Sequence, residues 1–249
     1  VEPGTQKKWL EYWRDARMDW WKGLSNNPDK FRFRTHEKDE LAHYADACYD
    51  IEYEYPWGFD ELEGVASRTD YDLKKHAECS GTKLSYFDQQ KQDPETGKNG
   101  WRYTPYVIEP AAGATRGLLV YLLDAYHEET VPDAEGKESS RVVMKFHPKL
   151  APIKVAVLPL VKKEGLPEIA RGIVSDFFKA GINARYDEQH SIGKRYRRHD
   201  EAGTPYCLTI DGQTKEDGTL TIRNRDTMEQ ERIPSEKVLE TVQKKLALS

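Results

Sequence analysis

An apolar run from Ile153 to Leu160, an amphipathic stretch from Leu166 to Ala180, a glycine at 181 and a second short run from Ile182 to Tyr186 follow one another directly. Two strands joined through a helix cannot close as a hairpin. They lie parallel, so this stretch predicts a βαβ unit, with Gly181 stopping the helix. Pro205 to Ile210, Leu220 to Arg223 and Glu229 to Ile233 read as further strands, and Ser235 caps a last helix running to Leu246. Residues 151–249 therefore form a small α/β domain. Its first strand and helix are joined by Val161-Lys162-Lys163-Glu164-Gly165, which is no glycine-rich phosphate loop, so the unit reads as a scaffold and not as a nucleotide site.

The chain before this domain has another rhythm. Leu10, Trp13, Arg17, Trp20 and Trp21 fall near helical spacing between Trp9 and Lys22, Phe31 to Arg34 alternates as a short strand, and His36 to Cys48 reads as a helix. That helix would place His36, Glu40 and His43 on one face, but their spacing matches no zinc motif and no metal is expected. From Asp50 to Tyr55 the alternation is strict, with Ile51, Tyr53 and Tyr55 against Asp50, Glu52 and Glu54, as a half-buried strand with a solvated acidic face requires. Phe59 to Leu73 sets Asp60, Glu61, Glu63, Arg68, Asp70 and Asp72 among small and apolar residues, which suits either the wall of a polar pocket or a helix laced with salt bridges.

Gln89 to Gly100 reads as a surface loop. A strand from Tyr103 to Glu109, a turn of small residues from Pro110 to Thr115 and a helix from Arg116 to Tyr126 follow; the helix is apolar nearly all round and is expected to be central. Glu109 and Arg116 then flank a turn at a helix N-terminus, where free N–H groups and the helix dipole favour an anion such as a phosphate. His127 to Arg141 is polar, and Pro148 and Pro152 follow, which sets the domain boundary near residues 140–152.

No apolar run approaches the ~20 residues that cross a bilayer, and Val1-Glu2-Pro3-Gly4 has neither the basic nor the apolar part of a signal peptide. Cys48, Cys79 and Cys207 form no Cys-x-x-Cys pair, as expected of reduced thiols in the cytoplasm. The net charge of −5 is uneven: residues 1–150 carry 21 basic and 28 acidic side chains, residues 151–249 carry 17 and 15. A polyanion would prefer the C-terminal part. There, the stretch Asp187 to Gly203 reads as a loop holding Lys194, Arg195, Arg197 and Arg198 with Tyr196 and His199. Such a cluster either neutralises phosphates while an aromatic stacks on a base, or is a solvated loop balanced by Asp187, Glu188, Asp200 and Glu201.

Ile192-Gly193-Lys194-Arg195-Tyr196-Arg197-Arg198, followed by Asp200-Glu201-Ala202-Gly203-Thr204-Pro205-Tyr206, resembles the anticodon-binding domain of glycyl-tRNA synthetase. The blocks Val1 to Thr5, His36 to Ala45 and Glu61 to Leu73 resemble successive parts of that family's class II catalytic domain, in the family's order. The resemblance implies an α+β architecture: the C-terminal portion of an antiparallel-sheet class II core over residues 1–145, with the third class II motif at 107–116, followed by an α/β anticodon-binding domain at 151–249.

The resemblance further implies ATP-dependent activation of glycine and transfer to tRNA-Gly by a cytoplasmic homodimer, with magnesium accompanying ATP. Arg116 and Glu109 would be catalytic. Glu61, Glu109, Pro110, Ala111, Ala112 and Gly113 would surround glycine, and Glu61, Leu62, Gly113, Ala114, Thr115 and Arg116 would contact ATP. Lys194, Arg195, Arg197 and Arg198 would contact tRNA, with Arg223 and Arg225 as weaker candidates. The family usually has serine where this chain has Ala111 and often aspartate where it has Thr115, so one hydroxyl hydrogen bond to the amino acid is missing. The first class II motif, most of the second and the dimer-forming region do not occur in the sequence. The chain is thus expected to be a C-terminal fragment, inactive alone; the alternative is a non-catalytic class II-like module that binds nucleic acid.

Overall fold

The computed structural model describes residues 1–132 and 137–247. It divides into two compact units, Val1–Gly23 with Asn27–Val120, and Leu24–Asn26 with the chain from Tyr121 onward.

In the first unit, helix α1 (Gln6–Lys22) precedes strands β1 (Phe31–Thr35), β2 (Ala47–Tyr55) and β3 (Gly58–Ser67), helix α2 (Tyr71–Ser80), the hairpin β4 (Tyr86–Gln92) and β5 (Asn99–Tyr103), strand β6 (Ile108–Ala112) and helix α3 (Ala114–Ala125), which runs on into the second unit. The main sheet has the order β1-β2-β3-β6 and is antiparallel throughout. Ile51, Tyr53 and Val65 on one face close over α1, whose buried side is Leu10, Met18 and Trp21; of the aromatic residues expected as anchors, Trp13 and Trp20 are exposed instead. Glu63 is buried on that side too, tolerated because Arg17 pairs with both its oxygens (2.7 and 3.0 Å) and the Trp21 indole donates to it.

Several expectations for this unit need correction. Residues 36–46 form no helix: the His36 amide donates to the Cys48 carbonyl at 3.1 Å, extending the β1–β2 ladder, and the segment between is a turn-rich connection. Pairing with β1 overrides the helical propensity of the Glu, Lys, Leu and Ala residues there. The acidic face of β2 is not solvated, since Asp50 and Glu52 are buried under Arg34 and Arg32. Phe59 to Leu73 is not one helix but the strand β3 and the start of α2, and Gln89 to Gly100 holds the end of β4, the turn at 93–98 and the start of β5. Helix α3 is not wrapped all round: Val120 and Ala125 are buried, while Leu118, Leu119 and Leu122 are exposed. Its inner side is fixed by Gly117, where an added Cβ would stand 3.0 Å from the Trp21 ring.

The second unit contains the hairpin β7 (Tyr126–Pro132) and β8 (Glu138–Met144), then β9 (Val155–Pro159), α4 (Leu166–Lys179), β10 (Ala184–Tyr186), α5 (Ile192–Glu201), β11 (Tyr206–Ile210), α6 (Gly212–Asp217), β12 (Thr219–Asn224), β13 (Gln230–Pro234) and α7 (Val238–Ala247). The sheet order is β10-β9-β11-β12-β13, with β9 parallel to both neighbours, which is the right outcome for the βαβ pattern. One face buries Val155, Val157 and Leu208 with Ala170 and Phe177 of α4 and Val242 of α7; on the other, Ala156, Leu158 and Cys207 meet Ile192 and Tyr196 of α5. Ser235 opens a short 3-10 turn, Ser235–Lys237, ahead of α7 and is not its cap. The polar stretch after residue 127 forms a hairpin instead of a linker, and β8 packs on α5; the compact units accordingly divide at Val120/Tyr121, earlier than the sequence punctuation near 140–152.

Candidate functional site

Cross-strand partners point to the same side of a sheet. The register of the main sheet therefore lays out, on the face opposite α1, three rows of opposed residues: Arg32, Glu52 and Glu61; Arg34, Asp50, Gly64 and Ala111; and Cys48, Ala66 and Glu109. The register shifts between Ile51 and Glu52, which leaves Leu62 without a direct partner on β2. This bulge lets Leu62 turn into the core, 1% exposed, while Glu61 stays in solvent. Gly64, Ala66 and Ala111 make a floor of small residues, and a Cβ on Gly64 would stand 3.8 Å from the Glu61 carboxylate and 3.9 Å from that of Asp50.

Glu109 stands at one side of this floor with its carboxylate 41% exposed, held at 2.6 Å by Arg68. The same guanidinium takes both oxygens of Asp72 (2.6 and 3.1 Å) and lies 4.1 Å above the Tyr44 ring. Asp72, and then Glu109, raise the Arg68 pKa. At the other side, Arg116 opens α3; its Nη1 donates to the Glu61 carbonyl at 2.5 Å and lies 4.0 Å from the Glu61 carboxylate, with both side chains about half exposed. The expected turn from Pro110 to Thr115 narrows to Gly113 between β6 and α3; Ala112, Gly113, Ala114 and Thr115 are exposed, so the backbone at the start of α3 is open to a ligand. The structure thus brings Glu61, Glu109, Ala111 and Arg116 to one sheet face and offers Leu62 only through its backbone. Of the charged residues between 59 and 73, Glu61, Arg68 and Asp72 lie at this face, whereas Glu63 is held on the α1 side and Asp70 pairs with Lys74. The sequence placed Arg68 among the charges of this segment but gave it no grip on Glu109; its signal was the Arg68-x-x-x-Asp72 spacing directly after the strand.

In the second unit, the stretch expected as a basic loop is largely the helix α5. Arg195 and His199 stand four residues apart on its buried side, as do Ile192 and Tyr196, a helical period masked by the charge of the residues. Arg195 is 2% exposed and donates to the carbonyls of Pro159 (2.7 Å), Asp187 (3.2 Å) and Leu160 (3.3 Å); burial lowers its pKa. Arg197 donates to Ser139 and Arg198 pairs with Asp187, while Lys194 is exposed. Arg223 and Arg225 are buried: Arg223 takes both oxygens of Asp200 (2.8 and 3.0 Å), which Arg141 also reaches at 2.9 Å, and Arg225 donates to the Gly203 carbonyl. Of the six arginine and lysine candidates, Arg195, Arg223 and Arg225 hold the unit together from inside.

A family model described as an anticodon binding domain matches residues 154–245, the segment from β9 to α7. Over 242 residues, 97% of this chain, the sequence is 47% identical to a glycine–tRNA ligase of Treponema denticola, covering 52% of that protein. It is 45% identical over 241 residues to the glycine–tRNA ligase of Streptomyces coelicolor and 48% identical over 239 residues to that of Corynebacterium efficiens, covering 50% of each. The chain belongs to the glycine–tRNA ligase family. It spans about half the length of the relatives it matches. Within a glycine–tRNA ligase, the open antiparallel sheet corresponds to part of a class II catalytic core, and the parallel-containing sheet to the anticodon-binding domain. Among the described residues no helix is long and apolar enough to cross a membrane.

Proposed function

We propose that the chain supplies the glycine- and ATP-phosphate-binding face and the tRNA-binding domain of a glycine–tRNA ligase, which joins glycine to ATP as glycyl-adenylate and then passes it to tRNA-Gly. The observation that carries this reading is the convergence of Glu61, Glu109, Ala111 and Arg116 on one face over a floor of small residues.

The glycine carboxylate attacks the α-phosphorus of ATP, forming the acyl phosphate bond as pyrophosphate leaves. No proton has to move from a side chain in this step, so the work lies in orientation and charge. Glu61 and Glu109 would hold the glycine ammonium, and their exposure leaves free lone pairs for it. Arg116 would meet the charge that grows on the phosphates, together with the amides of residues 113–115 at the start of α3. ATP enters as its magnesium complex, a substrate. With Ala111 in place of a hydroxyl-bearing residue, Glu109, Pro110, Ala112 and Gly113 would bound the glycine by shape, and a small floor rejects larger amino acids by steric exclusion.

For tRNA we place the contact on Lys194, Arg197 and Arg198, with Arg195 positioning their helix from within. The reading also includes residues 151–249 as the anticodon-binding domain, residues 1–145 as the end of the catalytic core, a homodimer formed through the family's N-terminal region, and a cytoplasmic location, where the free thiols of Cys48, Cys79 and Cys207 stay reduced. The chain alone would not activate glycine. The deciding experiment is glycine-dependent ATP–pyrophosphate exchange, run on the 249-residue chain and on native full-length protein of measured intact mass. Exchange by a longer native protein and none by the chain supports this reading; no exchange by either leaves the chain a nucleic-acid-binding module.

A further inference from the structure

The same sheet face carries a cluster that glycine activation does not use. Cys48 and Asp50 are two residues apart on β2 and project to one side. His36 follows β1 and is tied to Cys48 through the backbone, so three donors meet: an imidazole nitrogen, a thiol sulfur and a carboxylate oxygen, all within 4.8 Å of one another. We propose that His36, Cys48 and Asp50 bind a divalent transition-metal ion of the zinc class, with a fourth position open to water or to a ligand on the face.

Three features support this. The partners of Cys48 and Asp50 on β3 are Ala66 and Gly64, so no side chain larger than a methyl group stands beside the thiol or the carboxylate there, and room remains for an ion. A tetrahedral ion at about 2.0–2.3 Å from its ligands separates the donor atoms by roughly 3.3–3.8 Å, so rotation of the imidazole and thiol closes the site without moving the strands. The donor set selects the ion: sulfur with imidazole favours zinc or cobalt over magnesium or calcium.

The electrostatics agree with the geometry. The carboxylates of Asp50, Glu61 and Glu109 around Cys48 attract a dication, and metal binding at a thiol displaces its proton. His36 Nε2 and Asp50 Oδ2 lie 2.7 Å apart and are already oriented toward each other. Arg34 is the competing cation: its Nη1 is 3.3 Å from Asp50, while Nη2 bonds Glu40 at the rim.

The test is titration of chelator-treated protein with cobalt(II). The expected result is a thiolate-to-cobalt charge-transfer band with intense tetrahedral d–d absorption, and release of about one proton per ion at neutral pH. Cys48→Ser should abolish the charge-transfer band. His36→Gln and Asp50→Asn should each weaken binding at least about tenfold, and Arg34→Ala should tighten it. Cys79→Ser, at an exposed thiol on α2, should change nothing. Circular dichroism verifies that each variant is folded, and the His36 and Asp50 variants keep the test independent of the folding of Cys48→Ser. Absence of the charge-transfer band in folded wild type, or a band that survives Cys48→Ser, overturns the proposal. The readout needs no catalysis, so it stands or falls apart from glycine activation.

Discussion

The Arg116 end of the sheet face in the first unit and the α5 layer of the second are both built from arginines and carboxylates, yet they use them in opposite ways. On the sheet face Arg116 and Glu61 are about half in water and meet side chain to carbonyl, with their carboxylate and guanidinium 4.0 Å apart. In the α5 layer Asp200 is 0% exposed and is shared by Arg141 and Arg223 through three hydrogen bonds. Loosely engaged charges in solvent remain available to a ligand, whereas desolvated and saturated ones form a joint. The difference is one of burial and stoichiometry, not of residue type.

The largest test of that contrast is Asp200→Ala. It leaves Arg141 and Arg223 buried without their carboxylate and should cost about 3–5 kcal/mol in urea unfolding. A loss no greater than that of a surface pair would mean the network is not a joint. Arg116→Ala, on the other side of the comparison, should leave the unfolding midpoint unchanged while glycine-dependent exchange by full-length protein falls about 10²–10³-fold. A stability loss without a rate loss would reverse the two roles.

A third pair of variants lies within one helix. Lys194→Ala should weaken tRNA binding and reduce its salt slope by about 1 without destabilising the protein. Arg195→Ala should lower stability by about 1–3 kcal/mol, because the carbonyls of Pro159, Asp187 and Leu160 lose their buried donor. If Arg195→Ala instead changes only the salt slope, burial does not divide the cluster as stated.

The smallest effect calibrates the exposed limit. Arg232, with help from the Thr214 amide, holds the Asp211 carboxyl down at about 2 against an ordinary 3.8. The folded-state pKa is depressed, so this contribution is complete above pH 3.8 and is lost as pH falls toward 2. Arg232→Ala should cost at most about 1 kcal/mol at neutral pH and should shift acid unfolding to higher pH; an unchanged acid limb would show that Arg232 does not set the Asp211 titration.

Much of the architecture is legible in short-range pattern. The alternation of Ile51, Tyr53 and Tyr55 marks β2, and the run from Ile153 to Tyr186 dictates parallel pairing. Patterns failed where charge disguised a period, as in α5, or where a helical propensity met a stronger long-range demand, as between His36 and Cys48. For the candidate site, the small residues before Arg116 were legible as chemistry, and Glu61 and Glu109 were named by resemblance. The bulge that turns Leu62 inward and the Arg68 grip on Glu109 were not, because each depends on a partner strand.

The sequence by itself therefore determined the order and type of most elements, the family of the chain and the run of small residues beside Arg116, all of which rest on neighbours within a few residues. Tertiary structure alone decided which arginines are free and which are locked, and that His36, Cys48 and Asp50 meet. Asp200 finds Arg141 across 59 residues and Arg223 across 23, and no local pattern encodes such pairings. Whether a guanidinium keeps its water or gives it up depends on what the folded chain brings to it.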